Sequence, residues 1–182
     1  LTNSLVLTDE LKKFNVKSEV VFSGSVNKIF RKKKFKKKKF YRIISVGRLT
    51  FQKDFFTLIE AVKLMKNKNF LLKIYGEGPL KKVLKEKIIN YNLSKYIKIF
   101  GHQTDQNKIF GQADLLVHTA IFEGLPNVIV ESINYSVPVI ASNGAGGTKE
   151  ILRRGKFGLL FKVKNSNDLA KKIDNFIDNP KD

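Results

Sequence analysis

Cysteine is absent from all 182 residues. That excludes disulfides and any thiolate metal site, and it is compatible with a reducing compartment. Long apolar runs are also missing. None approaches the ~18 residues that a membrane-crossing helix needs. The opening L-T-N-S-L-V-L has neither a basic start nor an extended apolar centre, so it does not read as a signal peptide. The chain begins at Leu1 rather than Met, which leads us to expect a fragment. Acidic residues are few, 16 against 35 lysines and arginines, so the net charge is +19. Nine of the cations fall in residues 31–42 with no acid among them, which leaves +10 for the rest. A surface this basic attracts polyanions such as nucleic acid, anionic lipid or phosphorylated substrates. The abundance of Lys, Ile and Asn also fits a biased genome composition.

What is present is enough for one domain with a proper core, since 42% of the residues are hydrophobic. From residue 41 the pattern becomes regular. Six short apolar runs read as strands: Y-R-I-I-S-V-G, F-L-L-K-I-Y-G, Y-I-K-I-F-G, A-D-L-L-V-H-T, V-P-V-I-A-S and F-G-L-L-F. Helical spacing separates them. Phe55, Leu58, Ile59, Val62 and Met65 make one apolar stripe. Pro79 opens a second helix, with Leu80, Val83, Leu84 and Ile88 on one face. A short helix covers 104–111, another starts near Pro126, and a third short one ends at Leu152. The last helix is capped near Asn165 and Ser166 and turns Leu169, Ile173, Phe176 and Ile177 inward. Strands alternating with helices predict an α/β fold, a Rossmann-like parallel sheet with helices on both faces. The uninterrupted apolar strands agree, because such a sheet is covered on both sides. Upstream, residues 9–14 read as helix and 19–22 as strand. The run 31–40, R-K-K-K-F-K-K-K-K-F, reads as a solvated linker, with a lipid-headgroup or nucleic-acid patch as the other reading.

Ligands of parallel sheets bind beyond the carboxyl ends of the strands. Gly47 with Arg48, Gly76, Gly101 and Glu123 each follow such an end. In F-E-G-L-P-N-V-I-V-E-S (122–132), Glu123 and Glu131 bracket a turn and a helix start. The free N–H groups of Asn127 and Val128, with the helix dipole, make an anion site there. Arg48 and Lys53 lie five apart after the first strand, a guanidinium fork and a point charge suited to phosphate. Glycines in G-E-G-P-L permit a tight turn. The G-x-G-x-x-G dinucleotide pattern fails because its sixth position is Lys81. His102 and His118, the only histidines, read as hydrogen-bonded bystanders rather than acid–base groups.

Several phrases carry a resemblance. E-G-L-P-N-V-I-V-E looks like the E-x7-E motif of retaining GT-B glycosyltransferases of the family 4, or group 1, type. I-S-V-G-R-L-T-F-Q-K-D resembles that family's V-G-R-L-x-x-x-K-G, with Asp54 where Gly is commoner. G-E-G-P-L resembles its G-x-G-P-L. S-N-G-A-G-G-T-K-E-I-L followed by G-K-F-G-L-L-F resembles G-G-x-x-E-I-V and D-G-x-x-G-L-L-V. V-V-F-S-G-S-V-N-K-I-F resembles the passage between the two domains, with Ser25 and Asn27 where Gly and Asp are more usual. The resemblance runs from about residue 20 to residue 180.

It implies the donor-binding C-terminal half of a GT-B enzyme, taking a UDP- or GDP-sugar. Arg48 and Lys53 would grip the diphosphate, and Glu123 would contact sugar hydroxyls; these three are the implied catalytic groups. Gly47, Gly101, His102, Gly124, Leu125, Asn127, Val128 and Glu131 would complete the donor site, with Glu131 accepting from the ribose. No metal or other cofactor is expected, and no D-x-D pair is present. The implied organisation is the end of a first domain over 1–30, a linker over 31–40 and the nucleotide-sugar domain over 41–182. A saccharide or lipid-linked acceptor, a separate N-terminal domain chain, peripheral contact with an anionic membrane and a cytoplasmic location are further expectations, as is weak or no transfer by this chain alone. The alternatives are a non-catalytic polyanion-binding module using 31–42, and a nucleotide-sugar epimerase of the same fold.

Overall fold

The structure is a computed structural model. It describes residues 37–180 and, ahead of them, Thr8, 12–15 and 17. The first half of the expected helix at 9–14, the strand at 19–22 and most of the basic run therefore lie outside the described residues; of the helix, Lys12 is helical and 13–15 form a turn. Residues 37–40 are irregular and exposed.

Six strands form one wholly parallel sheet: β1 (Tyr41–Val46), β2 (Phe70–Tyr75), β3 (Ile97–Phe100), β4 (Leu115–His118), β6 (Val139–Ser142) and β8 (Leu159–Phe161). Their spatial order is β3-β2-β1-β4-β6-β8. These are the six apolar runs, each where the sequence puts it. Two further two-residue strands, β5 (Phe122–Glu123) and β7 (Ala145–Gly146), pair with each other outside the sheet. Nothing in the sequence pattern predicts them, because two residues carry no periodicity.

The helices divide by face. α1 (Phe55–Leu64), α2 (Lys81–Asn90) and α6 (Ser166–Asp178) pack on one side, where Leu58, Leu84 and Ile173 meet Ile43, Leu72 and Val117 of the strands. α3 (Gln106–Phe110), α4 (Asn127–Asn134) and α5 (Thr148–Ile151) cover the other side, where Phe110, Ile129 and Leu152 meet Ile44, Leu116 and Ala141. Leu115 and Val117 thus face one core and Leu116 the other, which is why β4 is apolar at every position except its last.

Two expectations need correction. Val83 is 47% exposed, outside the stripe of Leu80, Leu84 and Ile88. Positions i, i+4 and i+8 already fill the contact of α2 with the sheet, and Val83 falls on its flank. Pro126 and Pro79 stand outside their helices. Pro126 is extended (φ −76°, ψ 90°) one position ahead of α4, so its ring fixes how the chain approaches the helix rather than forming its first turn. At α6 the cap is where the sequence puts it: the Asn165 side chain accepts from the Asp168 N–H at 2.9 Å.

Candidate active site

The strand order runs outward from β1 on one side and from β4 on the other. The reversal between them leaves a crevice that no crossover helix can close. Two loops meet there, 47–54 after β1 and 119–125 after β4. They are fastened together by backbone. The Ile121 N–H donates to Gln52 O at 2.8 Å, and the Thr119 hydroxyl donates to Lys53 O at 2.7 Å. The Gln52 side-chain amide donates to Phe122 O at 2.9 Å.

The loop after β2 is zipped to the β1 loop in the same way. The Leu49 N–H donates to Glu77 O at 2.8 Å, and the Leu80 N–H to Leu49 O at 3.1 Å. A Cβ on Gly76 would lie 2.0 Å from Gly47 O, so only glycine allows that approach. This gives G-E-G-P-L its structural role. On the far side, the Gly147 N–H reaches Glu123 O (3.1 Å) and Gly124 O (2.8 Å), and the β5–β7 pair holds Glu123 itself. The sheet thus fixes Glu123 indirectly, through loops from three strands.

Asp54 occupies the left-handed region (φ +47°, ψ 49°) at the start of α1. That conformation accounts for the glycine in the family phrase. The aspartate side chain turns away from the crevice and caps α1, accepting from the Thr57 N–H at 3.2 Å and the Thr57 hydroxyl at 2.6 Å. The departure from the pattern is absorbed by the cap.

A cleft of about 950 Å³ opens at this rim, and Gly47, Arg48, Lys53, His102 and Glu123 all line it, with Phe51 and Tyr75. The Lys53 ammonium is ion-paired with Glu123 Oε1, both side chains being largely buried. Burial first, and the Arg48 charge second, lower the Lys53 pKa below the usual lysine value. Arg48 is exposed and makes no ion pair among the described residues. The other Glu123 oxygen, Oε2, lies 3.2 Å from His118 Nε2. That contact is close but not aligned as a hydrogen bond, and Nε2 is left without a partner. His118 is pushed down to about 3, by burial and then by the Lys53 charge, so it is neutral at ordinary pH.

The remaining candidates are not all brought to the cleft. Gly101 ends the run of β3 beside His102. Gly124 and Leu125 form the turn into α4. The first backbone N–H of α4 with a loop acceptor is that of Ile129, bonded to Pro126 O at 2.9 Å; Asn127 and Val128 precede it and carry the donors a helix start leaves over. Glu131 sits in the fifth position of α4, half-buried and hydrogen-bonded to the Gln106 side chain. Burial raises its pKa, and the Gln106 bond opposes the shift. None of Gly101, Gly124, Leu125, Asn127, Val128 or Glu131 lines the cleft.

His118 was not among the residues that sequence reasoning put in the site. The signal was available: it is the one polar residue in an otherwise apolar strand, at the carboxyl end. Among the described residues no three His, Asp or Glu side chains gather as a metal would need, and no helix is long and apolar enough to cross a membrane.

A doubly wound parallel sheet with a polar cleft at its strand-order reversal is the architecture in which such domains take a ligand, at the switch point. This chain belongs to the glycosyl transferases group 1 family, whose match covers residues 11–182. It is similar to the N-acetylgalactosamine-N,N'-diacetylbacillosaminyl-diphospho-undecaprenol 4-alpha-N-acetylgalactosaminyltransferase of Campylobacter jejuni, at 32% identity over 139 residues, covering 76% of this chain and 38% of the relative. A second relative is the poly(ribitol-phosphate) alpha-N-acetylglucosaminyltransferase of Staphylococcus aureus, 30% identical over 173 residues, 94% of this chain and 35% of the relative. Among solved structures, Anabaena HepE in complex with UDP and glucose superposes with a TM-score of 0.72 at 26% identity, covering 78% of this chain and 40% of that one. A mutant of S. aureus TarM in complex with fondaparinux, alpha-GlcNAc-glycerol and UDP gives 0.80 at 26% identity, covering 94% and 35%. The chain spans about a third of the length of the curated relatives it matches. The expected architecture, half of a GT-B glycosyltransferase, is borne out by these likenesses.

Proposed function

We propose that this chain binds a nucleotide-diphosphate sugar, a UDP-sugar in the first instance, as the donor half of a retaining glycosyltransferase acting on a saccharide or lipid-linked acceptor. The observation that carries the reading is the cleft in which Arg48, Lys53 and Glu123 converge at the switch point. Two cations suit a diphosphate, and a carboxylate accepts from vicinal hydroxyls of a sugar. In transfer, the bond from the anomeric carbon to the diphosphate oxygen breaks, and negative charge grows on the departing phosphate. In this reading Arg48 and Lys53, which line the cleft, stabilise that charge, and the free N–H groups at the start of α4, outside the cleft lining, are proposed as further donors in place of a metal. Glu131 is the proposed acceptor for the ribose hydroxyls, with His102 and Gly101 bordering the base. UDP is preferred because HepE, at 26% identity, is seen with UDP and glucose.

The test reads binding rather than turnover. Thermal unfolding is followed with UDP, GDP, their sugars and ATP, on the unsubstituted chain and on Arg48→Ala and Glu131→Ala. A ligand at about 100 times its Kd adds roughly 2.7 kcal/mol, or about 5–11 °C for a domain of this size. A shift with a uridine diphosphate that both substitutions abolish is the expected result. No shift with any nucleotide refutes the reading.

A further inference from the structure

Glu123 has two neighbours on opposite sides. Its Oε1 is ion-paired with Lys53, and its Oε2 faces His118 Nε2 at 3.2 Å. Lys53 belongs to a loop and carries a long, flexible side chain. His118 is the last residue of β4, in register with Ala141 of β6, and its side chain is only 3% exposed. One partner can leave and the other cannot.

The Lys53 amine cannot serve a diphosphate and remain wholly engaged with Glu123. A carboxylate released by its lysine turns easily, because its last torsion is broad. Something fixed must then hold it. Among the described residues, His118 is the one other titratable group against Glu123, and its Nε2 is buried and unmatched while Lys53 holds the carboxylate. A buried polar atom without a partner is a defect the fold keeps only where something else uses it.

Resting on the donor-binding reading above, we propose that His118 is a positioning residue of the sugar subsite: its buried Nε2–H holds Glu123 Oε2 when the diphosphate draws Lys53 away, so that Oε1 is presented to a hydroxyl of the transferred sugar. A neutral imidazole suits the task. It supplies a hydrogen bond without a second positive charge that would blunt the carboxylate as an acceptor. Burial, and after it the Lys53 charge, keep the ring neutral.

The test is calorimetric titration of the chain with UDP, UDP-glucose and UDP-N-acetylglucosamine. It reads the ratio of the better UDP-sugar affinity to the UDP affinity. His118→Phe keeps a ring and removes the donor; His118→Gln keeps an N–H near the Nε2 position. Phe is expected to reduce the ratio about tenfold, Gln to restore most of it, and His118→Phe to add nothing further in a Glu123→Ala background. A general packing defect lowers both affinities together and leaves the ratio alone, and that outcome overturns the proposal. So does an unchanged ratio in His118→Phe, or a chain that binds UDP but gains nothing from either sugar. Failure to bind any nucleotide refutes the donor reading itself, and is distinguished from these by the UDP titration.

Discussion

Gly146 and Gly155 form a matched pair for testing how the site is held. Both have strongly positive φ, +105° and +100°. An alanine at either position carries the left-handed penalty, about 1–2 kcal/mol. They differ in surroundings. A Cβ at Gly155 meets nothing within 4 Å, whereas one at Gly146 would sit 1.5 Å from Glu123 O. To restore ordinary contact the two strands must part by about 2 Å. That breaks the β5–β7 pairing and strains the Gly147 N–H bonds to Glu123 O and Gly124 O. Two such bonds are worth about 1–3 kcal/mol together. Gly155→Ala is therefore expected to lower Tm by about 2–8 °C. Gly146→Ala should lose about 2–5 kcal/mol in all and, because Glu123 moves with its strand, lose the stabilisation by UDP-sugar as well. Thermal unfolding of both variants with and without UDP-glucose is the assay. If Gly146→Ala melts with Gly155→Ala and keeps the ligand shift, the β7 loop does not position Glu123 and the reasoning is wrong.

Two further outcomes follow from the same structure. His118 is depressed to about 3 in the folded chain against about 6.5 unfolded, so the unfolded state takes up the proton first. Its contribution is complete above pH 6.5 and is lost as pH falls towards 3. Urea unfolding should show the stability difference between the unsubstituted chain and His118→Gln shrinking by about 2 kcal/mol from pH 7 to pH 5; parallel pH curves would contradict the burial of a neutral ring beside Lys53 and Glu123. At Asp54, alanine forfeits the α1 cap and carries the left-handed conformation, about 2 kcal/mol together, whereas glycine forfeits the cap alone and costs a few tenths to about 1 kcal/mol. Equal melting temperatures for Asp54→Ala and Asp54→Gly would show that φ +47° imposes no strain.

The sequence alone was sufficient for the sheet and its rim. Six apolar runs alternating with helical stripes specify a parallel sheet, because burial on both faces writes itself as continuous hydrophobicity. Gly47, Arg48 and Glu123 were legible as rim residues because each follows a strand's carboxyl end, and Lys53 because it lies five residues beyond Arg48, both facts of chain order; all four line the cleft. Tertiary structure decided what those residues do to one another. Lys53 and Glu123 are far apart in sequence and meet only because β1 and β4 become neighbours at the strand-order reversal. Glu131, which looks like a partner of Glu123 along the chain, faces Gln106 instead, since helix α4 turns it towards α3. His118 reads as a bystander in sequence; only the fold sets its unmatched Nε2 3.2 Å from Glu123 Oε2. Local pattern records which surfaces are buried, while pairings across the crevice depend on strand order and on glycine-permitted contacts between loops, which no periodicity encodes.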